Sequence, residues 1–195
     1  MTDCPFCNAT VSDVTFMESP RFRAIVNIAP ILPGHSLIVP KRHIESLLAL
    51  SDEEVAEMVN LSRKAVTLLM RVHGATGFDW TIQESAAAGQ SVPHLHLHLI
   101  PRQDGDLPDP GDWYTRLIDF RGRPRLAREE MKQLAERLRE AGRETTLLKK
   151  AYLTAKSATP LQGAGERKEY LETSRPLRPL RLNPALGSGV VKRKT

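Results

Sequence analysis

The sequence predicts an α+β fold, with an antiparallel sheet of about five strands and two main helices. Segments with strand patterning follow one another as a hairpin and a meander instead of alternating regularly with helices, which is typical of an antiparallel sheet. Only two segments have the apolar spacing of long amphipathic helices. No internal repeat is visible in the 195 residues, a length that allows one domain and an appendage.

The first half of the chain predicts three strands. Residues 13–18 and 21–28 are expected to form a hairpin, because apolar side chains alternate along the second segment and a Ser-Pro turn separates the two. A Pro-Gly turn then places His35 at the start of a short strand at residues 36–39. Functional side chains are commonly presented where a loop meets a strand. His35 is therefore a candidate site residue.

Two helices are predicted from their caps and their apolar faces. Ser51 and Glu54 form a capping box, and the helix behind it is expected to end at Gly74. The second helix is predicted at residues 126–142, with Gly142 as its end. Its apolar face consists of Met131, Leu134, Ala135 and Leu138.

A strand at residues 78–84 leads into a loop of small residues at 85–90, which joins the histidine-rich segment directly. Small side chains let backbone N–H groups approach an anion closely. A flexible connector without a ligand is the alternative, and the neighbouring histidines favour the anion-binding reading. Gly89, Gln90 and Ser91 are therefore candidate substrate contacts. The following segment is predicted to be mostly loop, with one short helix at 113–120.

Three of the six histidines fall within five residues of the chain. In a strand, His94, His96 and His98 would share one face, while the leucines between and after them would share the other. The leucines can join a core. Histidines on one face roughly 6.6 Å apart can act together on a phosphoryl group or share a metal ion. One such histidine alone is more often structural, but the strict alternation favours a site.

Cys4 and Cys7 are the only cysteines. In an intracellular chain such a pair is more often a metal-binding or redox pair than a structural disulfide. A thioredoxin-like dithiol follows a strand, whereas only three residues precede Cys4, so metal binding is favoured. Residues 1–5 show no signal-peptide pattern, and no apolar run reaches the length of a membrane span. We therefore expect a cytoplasmic protein without membrane contact.

The net charge of +5 arises from the C-terminal segment. Residues 145–195 contain eleven Lys and Arg against three Glu, whereas residues 1–144 contain 17 basic and 20 acidic groups. The segment is also rich in proline, so we predict a domain at 1–144 and an extended or disordered tail at 145–195, with one helix near residues 149–156 as an option. The tail is a candidate contact for nucleic acid or another polyanion.

The segment His94-Leu95-His96-Leu97-His98-Leu99-Ile100 matches the histidine-triad signature at every position, so the chain resembles the histidine triad (HIT) superfamily. Within it, the chain is most similar to the fragile histidine triad branch of dinucleoside polyphosphate hydrolases. That likeness covers about residues 13–140 and includes Asn27, Gln83 and the Pro-Gly-His turn at residues 33–35. It implies the HIT-like α+β fold and a homodimer.

The resemblance also implies a role for each site residue. His96 would attack the α-phosphorus and hold a nucleotidyl group, which is coherent with imidazole as a nucleophile near pH 7. His94 and His98 would contact phosphate oxygens, and His35 would lie beside the triad. Gln83 would contact the bridging oxygen, and Asn27 would contact a ribose hydroxyl.

The N-terminus departs from that branch. Cys4-Pro5-Phe6-Cys7 and Lys41-Arg42-His43 resemble zinc-carrying HIT proteins and galactose-1-phosphate uridylyltransferases, in which two cysteines and two histidines bind a structural zinc ion. On that pattern the zinc ligands are Cys4, Cys7, His43 and His94.

The leading functional prediction is hydrolysis of diadenosine tri- or tetraphosphate through nucleotidyl-His96. A phosphorylase would use the same covalent step with phosphate as acceptor, and a nucleoside phosphoramidase would use it with an amine as leaving group. A zinc-dependent hydrolase would instead bind its metal through His94, His96 and His98. A nucleotide-binding regulatory protein acting through its tail is a further alternative, and all of these stay open at the level of the sequence.

Overall fold

The computed structural model describes residues 4–119 and 121–158. Its strands are β1 (Thr15–Glu18), β2 (Phe22–Val26), β3 (Ser36–Pro40), β4 (Gly77–Ile82) and β5 (Leu97–Arg102). They form one sheet in the order β1-β2-β3-β5-β4, and every neighbouring pair is antiparallel. The α+β class and the five-stranded antiparallel sheet are thus confirmed.

Three α-helices accompany the sheet: α1 (Asp52–His73), α2 (Asp112–Ile118) and α3 (Arg128–Ala158). The start of α1 is as predicted, because the Ser51 hydroxyl accepts from the Glu54 N–H and the Glu54 carboxylate accepts from the Ser51 N–H. Its end is also confirmed, since Gly74 adopts the left-handed conformation at φ 66°. None of the described helices combines the length and the apolar composition that a bilayer crossing requires.

The predicted end of the second long helix at Gly142 is wrong, because α3 continues to Ala158. Gly142 faces α1, where an added Cβ would lie 3.7 Å from Leu68 Cδ2. That is an ordinary van der Waals distance, so an alanine would also fit, and the glycine does not end α3. The predicted boundary between residues 144 and 145 falls inside this helix. The division into domain and tail stays a prediction, and residues 159–195 lie outside the described residues.

Helices α1 and α3 pack on the sheet and enclose one apolar core with it. Leu97 and Leu99 belong to this core, and Leu95 is equally buried. Each such leucine contributes roughly 1.5–3 kcal/mol by leaving water. The prediction that the leucines of the histidine-rich segment face a core is therefore confirmed, and their burial anchors the histidines that alternate with them.

The strand of the histidine-rich segment begins later than its alternation predicts. β5 starts at Leu97, so only His98 lies within it. Continuing the register of β3 with β5 would place Pro40 opposite Leu95, and a proline has no N–H with which to extend the ladder. The Leu95 N–H donates instead to the Ile44 carbonyl at 2.6 Å. The chain leaves the sheet at this point and turns His94 toward the N-terminus.

Candidate active site and metal cluster

Four histidines are buried together at one end of the sheet. Their exposed fractions are 1% for His35, 0% for His94, 4% for His96 and 6% for His98. Burial lowers the pKa of each ring, to about 3 for His35, because a charged imidazole would lose its hydration. All four are therefore neutral near pH 7, with one N–H donor and one lone pair each.

His96 has a defined tautomer. Its Nδ1 lies 2.7 Å from the backbone carbonyl of His94, which can only accept a hydrogen bond. The ring proton is therefore on Nδ1, and Nε2 has the lone pair. This arrangement makes Nε2 the nucleophilic atom of the ring.

A chain of hydrogen bonds sets the tautomer of His98. The Ile31 N–H donates to His35 Nδ1 at 3.1 Å, so the proton of neutral His35 is on Nε2. That Nε2–H donates to His98 Nδ1 at 2.9 Å. His98 consequently has its own proton on Nε2, where it is available to an anionic oxygen.

Asn27 is buried beside this pair. Its side-chain oxygen accepts from the Ala29 N–H at 2.9 Å, which orients the amide nitrogen toward His35 Nε2 at 3.1 Å. In this tautomer the Asn27 amide nitrogen and His35 Nε2 are both donors, so they do not hydrogen-bond to each other. His35 Nε2–H therefore donates to His98.

The position of His35 depends on the glycine before it. Gly34 has φ +85°, and an added Cβ would lie 2.6 Å from His73 Cδ2. Any larger residue would be strained and would also collide with that ring. The Pro-Gly turn predicted from the sequence is therefore confirmed, with a close contact to α1 that the sequence does not indicate.

The small-residue loop is closed on itself and joined to the triad segment. The Gln90 side-chain oxygen accepts from the Ser85 N–H at 2.8 Å, and the Gln90 N–H donates to the Ser85 carbonyl at 3.1 Å. The Gln90 amide nitrogen also lies 3.5 Å from the His94 carbonyl. Gly89, at φ +85°, and Ser91 are both exposed. The predicted loop residues thus form one compact turn beside the triad.

Gln83 follows the last residue of β4 and is buried. Its amide nitrogen donates to the Thr81 hydroxyl at 2.9 Å. Thr81 is the register partner of His98 across the β4–β5 ladder. Sheet register therefore brings Gln83 toward the triad, and the hydrogen bond to Thr81 limits the directions in which its side chain can point.

Cys4, Cys7, His43 and His94 form a cluster that can hold a metal ion, and their ligand atoms lie within 4.8 Å of one another. His94 Nδ1 lies 3.3 Å from Cys4 Sγ and 3.5 Å from Cys7 Sγ, while His43 Nδ1 lies 3.4 Å from Cys7 Sγ. A tetrahedral zinc site with ordinary bond lengths separates sulfur from nitrogen by about 3.5 Å. The donor set and its spacing therefore fit zinc.

The second nitrogens of the two cluster histidines support this fit. His94 Nε2 donates to the Pro40 carbonyl at 3.1 Å, and His43 Nε2 lies 3.7 Å from the Glu45 carboxylate. Such outer partners keep the proton on Nε2 and leave Nδ1 free to bind a metal. Both ring nitrogens of His94 are thus engaged away from His96 and His98. A metal site shared by the three triad histidines is not favoured by this geometry.

Phe6 is a site residue that the sequence reasoning missed. It lies between the two cysteines, and its ring centroid is 5.5 Å from those of both His94 and His96. The cluster therefore holds an aromatic ring against His96. Its place between two metal-binding cysteines was the available signal, because any residue there must lie near His94 if that histidine shares their metal.

The comparisons with known proteins agree with this geometry. The model of the HIT domain matches residues 8–105. The bis(5'-adenosyl)-triphosphatase of Dictyostelium discoideum is 34% identical over 126 residues, which are 64% of this chain and 83% of that protein. The asymmetrical bis(5'-nucleosyl)-tetraphosphatase of Schizosaccharomyces pombe is 34% identical over 112 residues, which are 57% of this chain and 62% of that protein.

A solved structure supports the fold. The Zn-bound histidine triad family protein from Mycobacterium smegmatis superposes with a TM-score of 0.57 at 29% identity, covering 75% of this chain and 97% of that one. Against the S. pombe enzyme and the two fragile histidine triad proteins of Caenorhabditis elegans and Arabidopsis thaliana, however, the chain spans only 28% to 62% of the relative's length.

Proposed function

Because the chain belongs to the HIT family, we propose that it hydrolyses dinucleoside polyphosphates such as diadenosine tri- or tetraphosphate at the α-phosphorus, through a nucleotidyl-His96 intermediate. The observation on which this rests is the 2.7 Å hydrogen bond from His96 Nδ1 to the His94 carbonyl, which leaves the Nε2 lone pair for phosphorus. The names of the D. discoideum and S. pombe relatives support the substrate class.

In the first step, the lone pair of His96 Nε2 forms a bond to the α-phosphorus while the bond from phosphorus to the bridging oxygen breaks. The leaving nucleotide takes the electron pair. The His94 carbonyl stabilises the positive charge that develops on the imidazole of His96, because it already accepts a hydrogen bond from Nδ1–H. In this proposal Gln83 meets the bridging oxygen and Asn27 a ribose hydroxyl, which the burial of both side chains close to the triad supports.

The α-phosphoryl oxygens gain charge in the transition state. His98 donates its Nε2–H to one of them, since the Ile31-to-His35 hydrogen bonds hold its proton there. The backbone N–H groups of Ala86 and Ala87 are further donors, since those of Ser85, Ala88, Gly89 and Gln90 donate within the loop itself. In the second step, water attacks phosphorus, the bond to Nε2 breaks, and a nucleoside monophosphate leaves with the water oxygen while the water proton is released.

For the metal cluster we propose zinc in a structural role. Two thiolates and two imidazoles suit this ion, and the solved M. smegmatis relative is described as Zn-bound. Four protein ligands make a closed site, so the ion would supply a rigid connection between the N-terminus and the triad segment. His94 then serves as a ligand through its ring, and acts on His96 through its carbonyl.

The products of a small substrate panel test this function. We expect the purified chain to convert diadenosine triphosphate to AMP and ADP, with or without inorganic phosphate. Formation of ADP alone, and only when phosphate is added, would identify a phosphorylase instead. Turnover confined to adenosine 5'-phosphoramidate would identify the phosphoramidase. Absence of products from every compound would contradict an enzymatic role and favour the regulatory protein.

We further propose that the chain forms a homodimer through the edge strand β4. Phe78 and Trp80 point to the same face of this strand, and their exposed fractions are 46% and 44%. An edge strand with exposed aromatic side chains is a site for strand pairing or for burial against a second copy.

Replacing Trp80 with aspartate is expected to convert the dimer to a monomer, because the new charge would be buried at the contact. Light scattering after size exclusion measures this. Leu48→Asp is the matched control, since Leu48 is 91% exposed and lies outside the strand. A wild-type chain that runs as a monomer at about 50 μM, well above the dissociation constant of a stable dimer, would contradict the proposal.

The remaining predictions from the sequence stand as proposals. A cytoplasmic location and a contact between the basic tail and nucleic acid rest on composition alone. Most of that tail lies beyond residue 158, outside the described part of the chain.

A further inference from the structure

Arg123 is a half-buried cation beside the triad, in a segment that the sequence predicts to be mostly loop. Its guanidinium donates to the backbone carbonyls of Ala29 and Leu117, which ties the chain after α2 to the connection between β2 and β3. Its charge is close enough to lower the pKa of both His35 and His98. Because the Ala29 N–H donates to the Asn27 side chain, the hydrogen bond from Arg123 to the Ala29 carbonyl places the guanidinium beside the candidate active site.

The segment that contains Arg123 also borders the small-residue loop. An added Cβ on Gly89 would lie 3.8 Å from Ile118 Cγ2, at the end of α2. Ile118 thus lies beside this loop, while the hydrogen bond from Arg123 to Ala29 holds the guanidinium on the Asn27 side of the site. A ligand held by the loop and the triad would have this segment as its neighbour.

The hydrogen bonds of Arg123 are incomplete. Its Nε is buried and has no hydrogen-bond partner among the described atoms. Burial lowers the pKa of the guanidinium, and the nearby Asp119 carboxylate offsets only part of this effect. A buried cation with a free donor is costly unless an anion or an acceptor completes its surroundings. The neutral histidines beside it supply no negative charge.

We propose that Arg123 binds a charged oxygen of the substrate's phosphate chain and makes the site select nucleotides by their phosphate charge. This inference rests on the function proposed above and names a residue that it does not include. A guanidinium suits the task because it presents several N–H donors in fixed directions to phosphate oxygens. The backbone carbonyls of Ala29 and Leu117 would hold the guanidinium in place while its remaining N–H donors face the ligand.

Calorimetry on the full chain tests the proposal, with adenosine and ADP as probes that the enzyme does not hydrolyse. For each variant, the measured quantity is the dissociation constant of adenosine divided by that of ADP. This ratio does not change when a fraction of the protein is unfolded. We expect Arg123→Gln to reduce the preference for ADP by about thirtyfold, the scale of one lost charge-assisted hydrogen bond. Arg123→Lys should retain part of it. The control Arg125→Gln, at an exposed position of the same segment, should leave it unchanged.

Two results would overturn the inference. One is an Arg123→Gln variant that keeps the full preference for ADP. The other is a variant that loses affinity for adenosine and ADP by the same factor, because Arg123 would then only shape the site. Failure of the proposed function is distinguishable, since it would show in the wild-type chain as absence of dinucleotide cleavage in the product assay.

Discussion

Replacing His96 with asparagine is expected to lower the turnover of diadenosine triphosphate by at least about a thousandfold, the scale of losing a covalent nucleophile. Asparagine keeps a polar side chain of similar size, but it has no lone pair equivalent to that of His96 Nε2. Nucleotide binding should persist, because the loop at residues 85–90, Asn27 and the other histidines remain in place. Steady-state kinetics and calorimetry with ADP measure the two effects separately.

Rapid quenching with a radiolabelled dinucleotide examines the same step directly. The wild-type chain should acquire an acid-labile label during a single turnover, and His96→Asn should not. His98→Asn is the matched comparison: it keeps the nucleophile and loses one donor, so it should become labelled more slowly. The histidine mechanism would be wrong if the wild type never became labelled and His96→Asn retained activity within tenfold of it.

Replacing Cys4 with serine is expected to lower the free energy of unfolding by about 3 kcal/mol or more, because a structural metal contributes its binding energy to folding. The chemical step should change less. The cluster ties the N-terminus and Phe6 to His94, whereas the nucleophile and its tautomer depend on the backbone carbonyl of His94. Urea denaturation, elemental analysis and single-turnover kinetics together measure these effects.

Pro5→Ala is the control for this variant, since Pro5 is exposed and lies between the cysteines without offering a ligand. It should keep one zinc ion per chain and nearly the stability of the wild type. A wild-type protein purified without chelator that contains no stoichiometric metal would contradict the zinc site. So would a Cys4→Ser variant that unfolds at the same urea concentration as the wild type.

Most of the secondary structure could be predicted because its signals are local. The capping box at Ser51 and the left-handed glycine at position 74 fall where the pattern places them. Gly142 shows the limit of the same rule. A glycine ends a helix only if the chain there turns away, whereas α3 continues through Gly142 to Ala158 and packs against α1.

The candidate site could be predicted as a set of residues, whereas the hydrogen-bond partners of each side chain could not. Alternation within residues 94–100 identified the three histidines together, and the structure groups them with His35. The resemblance already separates His94, as a metal ligand, from His96, but alternation does not indicate that the His94 ring also meets Pro40 or that His98 faces His35. That difference arises because the ladder between β3 and β5 ends at Ile38 and Leu97, before Pro40, a residue distant in sequence from the triad.

Residue identity alone therefore establishes the chemistry that is available: imidazole nucleophiles, a thiolate and imidazole metal set, and a loop whose small residues admit an anion. Only tertiary structure decides which nitrogen of His98 has the proton, how closely the ligands expected for the metal approach one another, and that Arg123 lies beside the triad with an unpaired buried donor. The physical reason is that periodicity and capping act over a few neighbouring residues. A tautomer or a buried charge depends on partners that the fold brings from 25 to 90 positions away.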